Sequence, residues 1–360
     1  MTADDYMRRA LFLAACGRGR TSPNPMVGAV VVSNDGVIVG QGFHQRAGGP
    51  HAEVHALAMA GDRARRATLY CTLEPCCHVG RTGPCVCRIV EAGIGQVVAA
   101  VQDPNPAVNG QGFEYLRAHG VEVRTGVGAA AAARLNQPFF TLMRERRPFV
   151  ILKAATSLDG RIAAAPGQRT DLTSSAATRH AHVVRAEVDA IGVGVGTILI
   201  DDPRLTVRGV HRERPLTRVV FDRGMRTPAP ARLLSTRDAG PVIIVTTAAG
   251  AARADDRRRL EDRGALIAVA RDDTLRSALE LLASHDVASL LLEGGAALHQ
   301  AAWDDDLVDF VRLYVTPGVL GPRGVGLLNG RRFATGDLVE RRVETLGPDV
   351  LIEGYVHRPD

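Results

Sequence analysis

His51-Ala52-Glu53-Val54-His55-Ala56-Leu57, then Thr72-Leu73-Glu74-Pro75-Cys76, then Gly80-Arg81-Thr82-Gly83-Pro84-Cys85 gather an imidazole, acids and thiols into one short region. The chain has six cysteines, and all but Cys16 lie between Cys71 and Cys87. Clustering of this kind without a recognisable secretory signal points to a metal or redox site before a disulfide framework. One imidazole and two thiolates suit Zn²⁺ in a catalytic site, with the fourth position left to water. Zinc lowers the pKa of such a water to about 7. Glu53, two residues from His51 at a predicted helix start, is placed to carry its proton. Pro75 is expected to let Cys76 begin a helix whose N-terminal dipole favours a thiolate. On spacing alone Cys77, His78 and Cys87 compete as ligands, and His55 stands one helical turn after His51. A closed structural zinc site built from four of these residues is the competing reading.

Around this region the chain alternates helices and strands. Residues 4–16 carry apolar positions at helical spacing, and 27–33 and 37–42 are β-rich runs joined by Asn34-Asp35-Gly36, a hairpin-turn signal. Helices are predicted over 52–61 and 84–92, and strands over 68–72, 96–101 and 121–124. Arg144-Glu145-Arg146-Arg147-Pro148 is a charged stretch ending in proline and marks a boundary. Beyond it, strands are predicted at 149–155, 189–194, 217–221, 241–246, 266–270, 289–292 and 310–316, with helices near 174–187, 252–263 and 274–284. Two α/β domains, 1–146 and 147–360, are expected from a length of 360 residues.

Composition narrows the function classes. The apolar run 190–200 is too short for a bilayer that needs about 20 residues, and Asp4, Asp5, Arg8 and Arg9 make a poor secretory leader. A cytoplasmic protein is expected. The net charge of +5 comes without a polybasic run, so small phosphorylated ligands suit the chain and nucleic acid is not demanded. Arginine supplies nearly all the positive charge; Lys153 is the sole lysine.

That lysine sits in Lys153-Ala154-Ala155-Thr156-Ser157-Leu158-Asp159-Gly160, on a buried-looking strand where an ammonium needs a partner or an anionic ligand. An edge-strand lysine reaching solvent is the alternative. Gly192-Val193-Gly194-Val195-Gly196-Thr197, read as following an apolar strand, permits close approach by a dinucleotide. Asp201-Asp202-Pro203-Arg204-Leu205-Thr206-Val207-Arg208 then mixes acids and bases in one loop. Leu290-Leu291-Leu292-Glu293-Gly294-Gly295-Ala296 runs a strand into two glycines and a helix, a phosphate-holding geometry or a plain strand-to-helix turn.

His51-Ala52-Glu53 with Pro75-Cys76 is the signature of zinc deaminases acting on nucleobases. Thr21-Ser22-Pro23-Asn24-Pro25-Met26-Val27-Gly28, Gly42-Phe43-His44-Gln45-Arg46-Ala47-Gly48 and the wide Cys76-to-Cys85 gap extend it. In this order they closely resemble the bifunctional riboflavin-biosynthesis deaminase/reductase family, and the Lys153 and Gly196-to-Arg208 segments resemble its reductase half. The resemblance implies a cytidine-deaminase-like three-layer α/β/α domain followed by a dihydrofolate-reductase-like α/β domain. It implies deamination of 2,5-diamino-6-(5-phosphoribosylamino)pyrimidin-4-one by residues 1–146, and NADPH-dependent reduction of the ribosyl side chain to ribityl by residues 147–360. Carried over, His51, Cys76 and Cys85 bind one zinc, Glu53 is the proton shuttle, Asn24 and His44 line the pyrimidine pocket, and Asp103 and Asn105 lie near the substrate. NADPH falls to Ala155, Asp171, Thr197, Asp201 and the segment from Gly295. Lys153, Arg169, Arg185, Leu205, Arg208 and Glu293 hold the phosphoribosyl substrate. A homo-oligomer is expected. The chain departs from the family pattern at Cys77 (often Ser) and Gly83 (often Pro). It departs again at Arg169-Thr170-Asp171, where Ser and an aromatic residue are usual, and at Arg223, where a small hydroxyl residue is usual. Asp171 is expected to repel a phosphate unless Arg169 compensates.

Overall fold

Gly28-Ala29-Val30-Val31-Val32 is apolar at every position, so a strand made from it needs cover on both faces. In the computed structural model, which describes residues 1–78, 83–328 and 334–357, it is strand β1 (Gly28–Val32), buried throughout. The Gly80-Arg81-Thr82 part of the wide-gap motif lies outside the described residues. Gly36, at φ +81° in the Asn34-Asp35-Gly36 turn, returns the chain as β2 (Ile38–Phe43), antiparallel to β1. β3 (Thr68–Cys71), β4 (Gln96–Ala99) and β5 (Glu122–Thr125) complete a five-stranded sheet of order β2-β1-β3-β4-β5. β3 runs antiparallel to β1 and parallel to β4, which is parallel to β5.

Alternation along these strands sends side chains to two cores. Val30, Val32, Tyr70 and Val98 pack with Tyr6, Met7, Ala10 and Leu13 of α1 (Ala3–Ala15). On the other face, Ala29, Val31, Leu69, Cys71 and Val97 pack with α2 (Ala52–Ala60) and α3 (Cys85–Glu91). The unit Met1–Arg146 is therefore three-layered, helix on sheet on helix. Helix α2 lies so close to β2 that a Cβ at Gly40 would stand 2.1 Å from the Ala56 carbonyl oxygen, and one at Gly42 would stand 2.4 Å from the His55 Cβ. Those glycines fix the height of α2, and with it His51 and Glu53.

The second unit begins at Arg147. Its strands are β6 (Phe149–Thr156), β7 (Arg161–Ala163), β8 (Ala190–Gly194), β9 (Thr217–Phe221), β10 (Val242–Thr246), β11 (Ala265–Val269), β12 (Ser289–Gly294), β13 (Phe310–Val315), β14 (Val325–Gly326), β15 (Val339–Leu346) and β16 (Asp349–Tyr355). Nine form one sheet of order β11-β10-β9-β8-β12-β6-β13-β16-β15, parallel from β11 to β13 and antiparallel at β16 and β15. β7 and β14 pair separately. Val150, Leu152, Leu290 and Leu292 bury against helix Leu275–Ala283 and helix Ala296–Asp304, while Ile191, Val193, Val220 and Ile244 bury against helices Ser175–Glu187, Val195–Asp201 and Ala254–Glu261.

Two sequence expectations are corrected and one element was missed. The strand predicted at 189–194 forms as β8 and is followed at once by a helix, so Gly192 and Gly194, also read as following the strand, lie inside it. The terminal hairpin β15–β16 was not anticipated, because exposed Glu340, Arg341, Arg342 and Glu344 hide the strand pattern at a sheet edge. No helix begins at Cys76, which lies in an irregular segment; the helix predicted over 84–92 is the one that forms, opening at Cys85 after Pro84 (φ −62°, ψ 134°). No helix among the described residues is long and apolar enough to cross a membrane.

Candidate active sites

His51 ends the loop before α2 with extended backbone (φ −75°, ψ 166°), which leaves its ring free of the helix, and Glu53 follows in the first turn. Cys85 opens α3, and Cys76 stands in the irregular segment after β3. The His51 Nδ1 is 3.2 Å from the Cys85 Sγ and 3.4 Å from the Cys76 Sγ, and the three donor atoms lie within 4.8 Å of one another. One imidazole and two thiols converging at that spacing fit Zn²⁺ with a position left open. The Cys85 N–H, first of the helix, donates to the Cys76 Sγ at 3.4 Å. The α3 N-terminus thus favours a thiolate on Cys76 by facing it. The Cys76 thiol is held at about 4 by its hydrogen bond with Cys85 and by the His51 ring, whereas that same bond and burial push Cys85 up.

The competing ligands turn elsewhere. The Cys77 Sγ is 3.7 Å from the Ala107 carbonyl oxygen and the Cys87 Sγ is 3.5 Å from the Tyr115 hydroxyl. Neither joins the His51 cluster, nor do His55 and His78.

Glu53 is 3% exposed, and its Oε2 has no hydrogen-bond partner among the described residues. Burial, then the negative Cys76, push its carboxyl up to about 7. His44, also buried, donates from Nδ1 to the Pro50 carbonyl at 3.0 Å. That fixes its Nε2 as the acceptor for the Asn24 Nδ2 at 3.2 Å. Its ring meets His51 edge-on at 5.4 Å. Burial, then the Glu74 and Cys76 charges, raise Asp103 to about 7 against the Asn105 N–H that its Oδ1 accepts at 2.8 Å. Asn24, His44, His51, Glu53, Cys76 and Cys85 thus share one neighbourhood.

In the second unit the C-terminal ends of β6, β8 and β12 open into a cavity of about 1120 Å³. This is the crevice where open parallel sheets hold ligands. Ala155, Asp171, Thr197, Asp201 and Gly295 line it, together with Lys153, Arg169, Arg185, Leu205, Arg208 and Glu293. Lys153 is on β6 between β12 and β13, which removes the edge-strand alternative. Its Nζ lies 3.9 Å from the Glu293 carboxylate and over the Tyr314 ring at 5.5 Å. Arg185 grips the same carboxylate through Nε and a terminal nitrogen, both at 2.7 Å, and donates to the Thr206 carbonyl at 3.0 Å. Burial lowers Lys153 although Glu293 raises it.

Thr197 and the two glycines pack closely, since a Cβ at Gly294 would stand 2.8 Å from the Thr197 Oγ1. Gly295, at φ +79°, then caps helix Ala296–Asp304. Arg169 and Asp171 form an exposed ion pair at 3.0 Å, so the expected repulsion is balanced locally. Burial raises Asp201, against Arg169. Sequence reasoning missed His182, whose ring accepts the Arg208 backbone N–H at 3.2 Å, and Tyr314 beneath Lys153. Only the spacing of His182, one helical turn before Arg185, pointed to it.

Known proteins resemble the chain along its whole length. Residues 1–101 match the cytidine and deoxycytidylate deaminase zinc-binding region, and residues 148–352 match the RibD C-terminal domain. The riboflavin biosynthesis protein RibD of Aquifex aeolicus is 39% identical over 350 residues, covering 97% of both chains. That of Escherichia coli is 38% identical, covering 98% of this chain and 99% of that one. Among solved structures, Acinetobacter baumannii RibD superposes with a TM-score of 0.86 at 35% identity. The diaminohydroxyphosphoribosylaminopyrimidine deaminase/5-amino-6-(5-phosphoribosylamino)uracil reductase of Thermotoga maritima gives 0.81 at 34%. Both cover 98% of each chain.

Proposed function

The chain belongs to the RibD family of bifunctional riboflavin-biosynthesis deaminase/reductases, and we propose on that basis how its own residues divide the two reactions. Residues 1–146 deaminate 2,5-diamino-6-(5-phosphoribosylamino)pyrimidin-4-one, exchanging the ring amino group for the oxygen of water and releasing ammonia. Residues 147–360 reduce the ribosyl side chain of the resulting uracil to ribityl. The observation that carries the first half is the convergence of His51, Cys76 and Cys85 beside the buried, half-unsatisfied carboxylate of Glu53.

His51, Cys76 and Cys85 hold zinc, which when bound supplies the Lewis acidity that makes a water nucleophilic at neutral pH. Glu53 takes one proton from the attacking water and delivers it to the ring nitrogen, then carries the remaining hydroxyl proton to the departing amine. A carboxyl poised near neutrality can do both. Asn24, oriented by the Nε2 acceptor of His44, reads the pyrimidine edge, and Asp103 and Asn105 close the pocket around the substrate.

In the second unit Glu293 fixes Arg185 and Lys153 so that their charges face the cavity, where with Arg169, Leu205 and Arg208 they hold the phosphoribosyl chain. Ala155, Asp171, Thr197, Asp201 and Gly295 receive NADPH, which supplies the hydride. Lys153 or Asp201 provides the accompanying proton. The substrates are small phosphorylated pyrimidines rather than nucleic acid. A cytoplasmic setting and a homo-oligomer complete the proposal, and light scattering of the purified chain tests the latter. The direct test feeds the purified full-length protein the diaminopyrimidine. Ammonia release followed by NADPH oxidation supports the reading; turnover of cytidine with none of the diaminopyrimidine overturns it.

A further inference from the structure

Glu74 is 3% exposed and makes no ion pair among the described residues. Four backbone N–H groups satisfy its carboxylate instead. Asp103 and Gly110 donate to Oε2 at 3.1 and 3.0 Å, and Gly112 and Phe113 donate to Oε1 at 2.9 and 3.3 Å. These donors span one loop and the start of helix Gln111–Ala118. A carboxylate has about four lone-pair sites, and here all are used. Glu74 is joined to Cys76 through Pro75 alone, and the loop is pressed against that proline. A Cβ at Gly112 would stand 2.2 Å from the Pro75 carbonyl oxygen. The loop itself is stiffened by the Asp103 side chain on the Asn105 N–H and the Asn105 side chain on the Ala107 N–H.

We propose that Glu74 is a positioning residue for the deamination: its carboxylate ties the Cys76 segment to the loop carrying Asp103 and Asn105, so that metal site and substrate loop form one rigid assembly. This rests on the deaminase reading given above. A residue needed only for folding could be satisfied by any buried contact. Four N–H groups aimed at two oxygens instead specify where the loop sits, and an amide cannot replace them. Gln at this position keeps the shape but puts an NH₂ against two N–H donors.

The test uses the full-length, zinc-loaded protein with Glu74→Gln, Asn105→Ala and the double variant. Zinc content, the ammonia-release KM and kcat, and NADPH oxidation with the deaminated product are measured for each. Glu74→Gln is expected to raise KM for the diaminopyrimidine at least tenfold with a smaller change in kcat. Zinc should stay near one per chain and NADPH oxidation within twofold of wild type. The double variant should be little worse than the poorer single one, because both act through the same loop. Gly112→Ala, which displaces the loop and leaves the carboxylate intact, should give the same KM rise and carries the test if Glu74→Gln does not fold. A KM within twofold of wild type, zinc lost in step with activity, or additive effects in the double variant overturn the inference while wild-type deamination stands. A wild-type protein that releases no ammonia overturns the deaminase reading and this inference with it.

Discussion

Around His51 the chemistry comes from short segments that each carry a readable pattern: one helix start, one strand exit and one more helix start. Around Lys153 it comes from the ends of β6, β8 and β12, from helix Ser175–Glu187 and from the loop after Asp201. The first site is local and is fixed by ligand geometry. The second is distributed, and three charged side chains hold it together: Glu293 between Arg185 and Lys153. A local site survives as a motif even when its spacing is unusual. A distributed one becomes visible only when the sheet assembles it.

Substitution in the two regions should therefore have separable consequences. The largest effect is expected for Cys85→Ala, which removes one of three ligands. Elemental analysis should find little zinc, and ammonia release should fall below detection, while Cys77→Ser keeps both. Equal zinc loss from the two variants would erase the distinction between ligand and bystander thiol.

Glu293→Gln tests the other side. The change leaves Arg185 and Lys153 without the carboxylate that orients them, so NADPH oxidation should drop by about 100-fold or more with ammonia release intact. Trp303, the sole tryptophan, lies in the same unit and reports its unfolding by fluorescence. Burial alone would raise the Glu293 carboxyl, but Arg185 and Lys153 outweigh it and hold it at about 2, below the ordinary 4.5. A depressed carboxyl stabilises the fold fully above the unfolded value and loses that contribution as pH falls toward 2. Acid unfolding followed at Trp303 should steepen between about pH 4.5 and 2 in the wild type and flatten in the Gln variant. An unchanged profile would mean that the triad does not couple to folding.

The smallest effect is expected for Asp171→Ala. Its pair with Arg169 is exposed, 84% for the acid and 58% for the base. Such pairs contribute about 0–1 kcal/mol, so the NADPH KM should change by no more than about fivefold in either direction. A larger fall would place Asp171 directly against a phosphate.

Much of this was legible in the sequence, for physical reasons that differ by region. The β-rich run 27–33 announced a strand, and Asn34-Asp35-Gly36 announced its hairpin, because both signals are local. His51, Glu53 and Cys76 were legible from residue type and spacing. Cys85 was not separable from Cys77 or Cys87 by spacing, and only the family pattern selected it. The helix expected at Cys76 does not form, although Pro75 could start one as well as Pro84 does for the helix predicted over 84–92. Glu74 was quoted as part of a motif, yet its role depends on N–H groups 29 to 39 residues away. No local pattern encodes those contacts. Lys153 drew notice by its rarity. Its partner Glu293 was found by resemblance, and Tyr314 and His182 were missed because nothing in their neighbourhood repeats.

The claim that one chain carries two chemistries on two independent sets of side chains is tested most directly by zinc-replete, full-length Glu53→Gln assayed in parallel with both substrates. The account predicts ammonia release from the diaminopyrimidine reduced by at least about 100-fold, with NADPH oxidation at the wild-type rate when the deaminated compound is supplied. Wild-type ammonia release from that variant, or loss of both activities together, would contradict it.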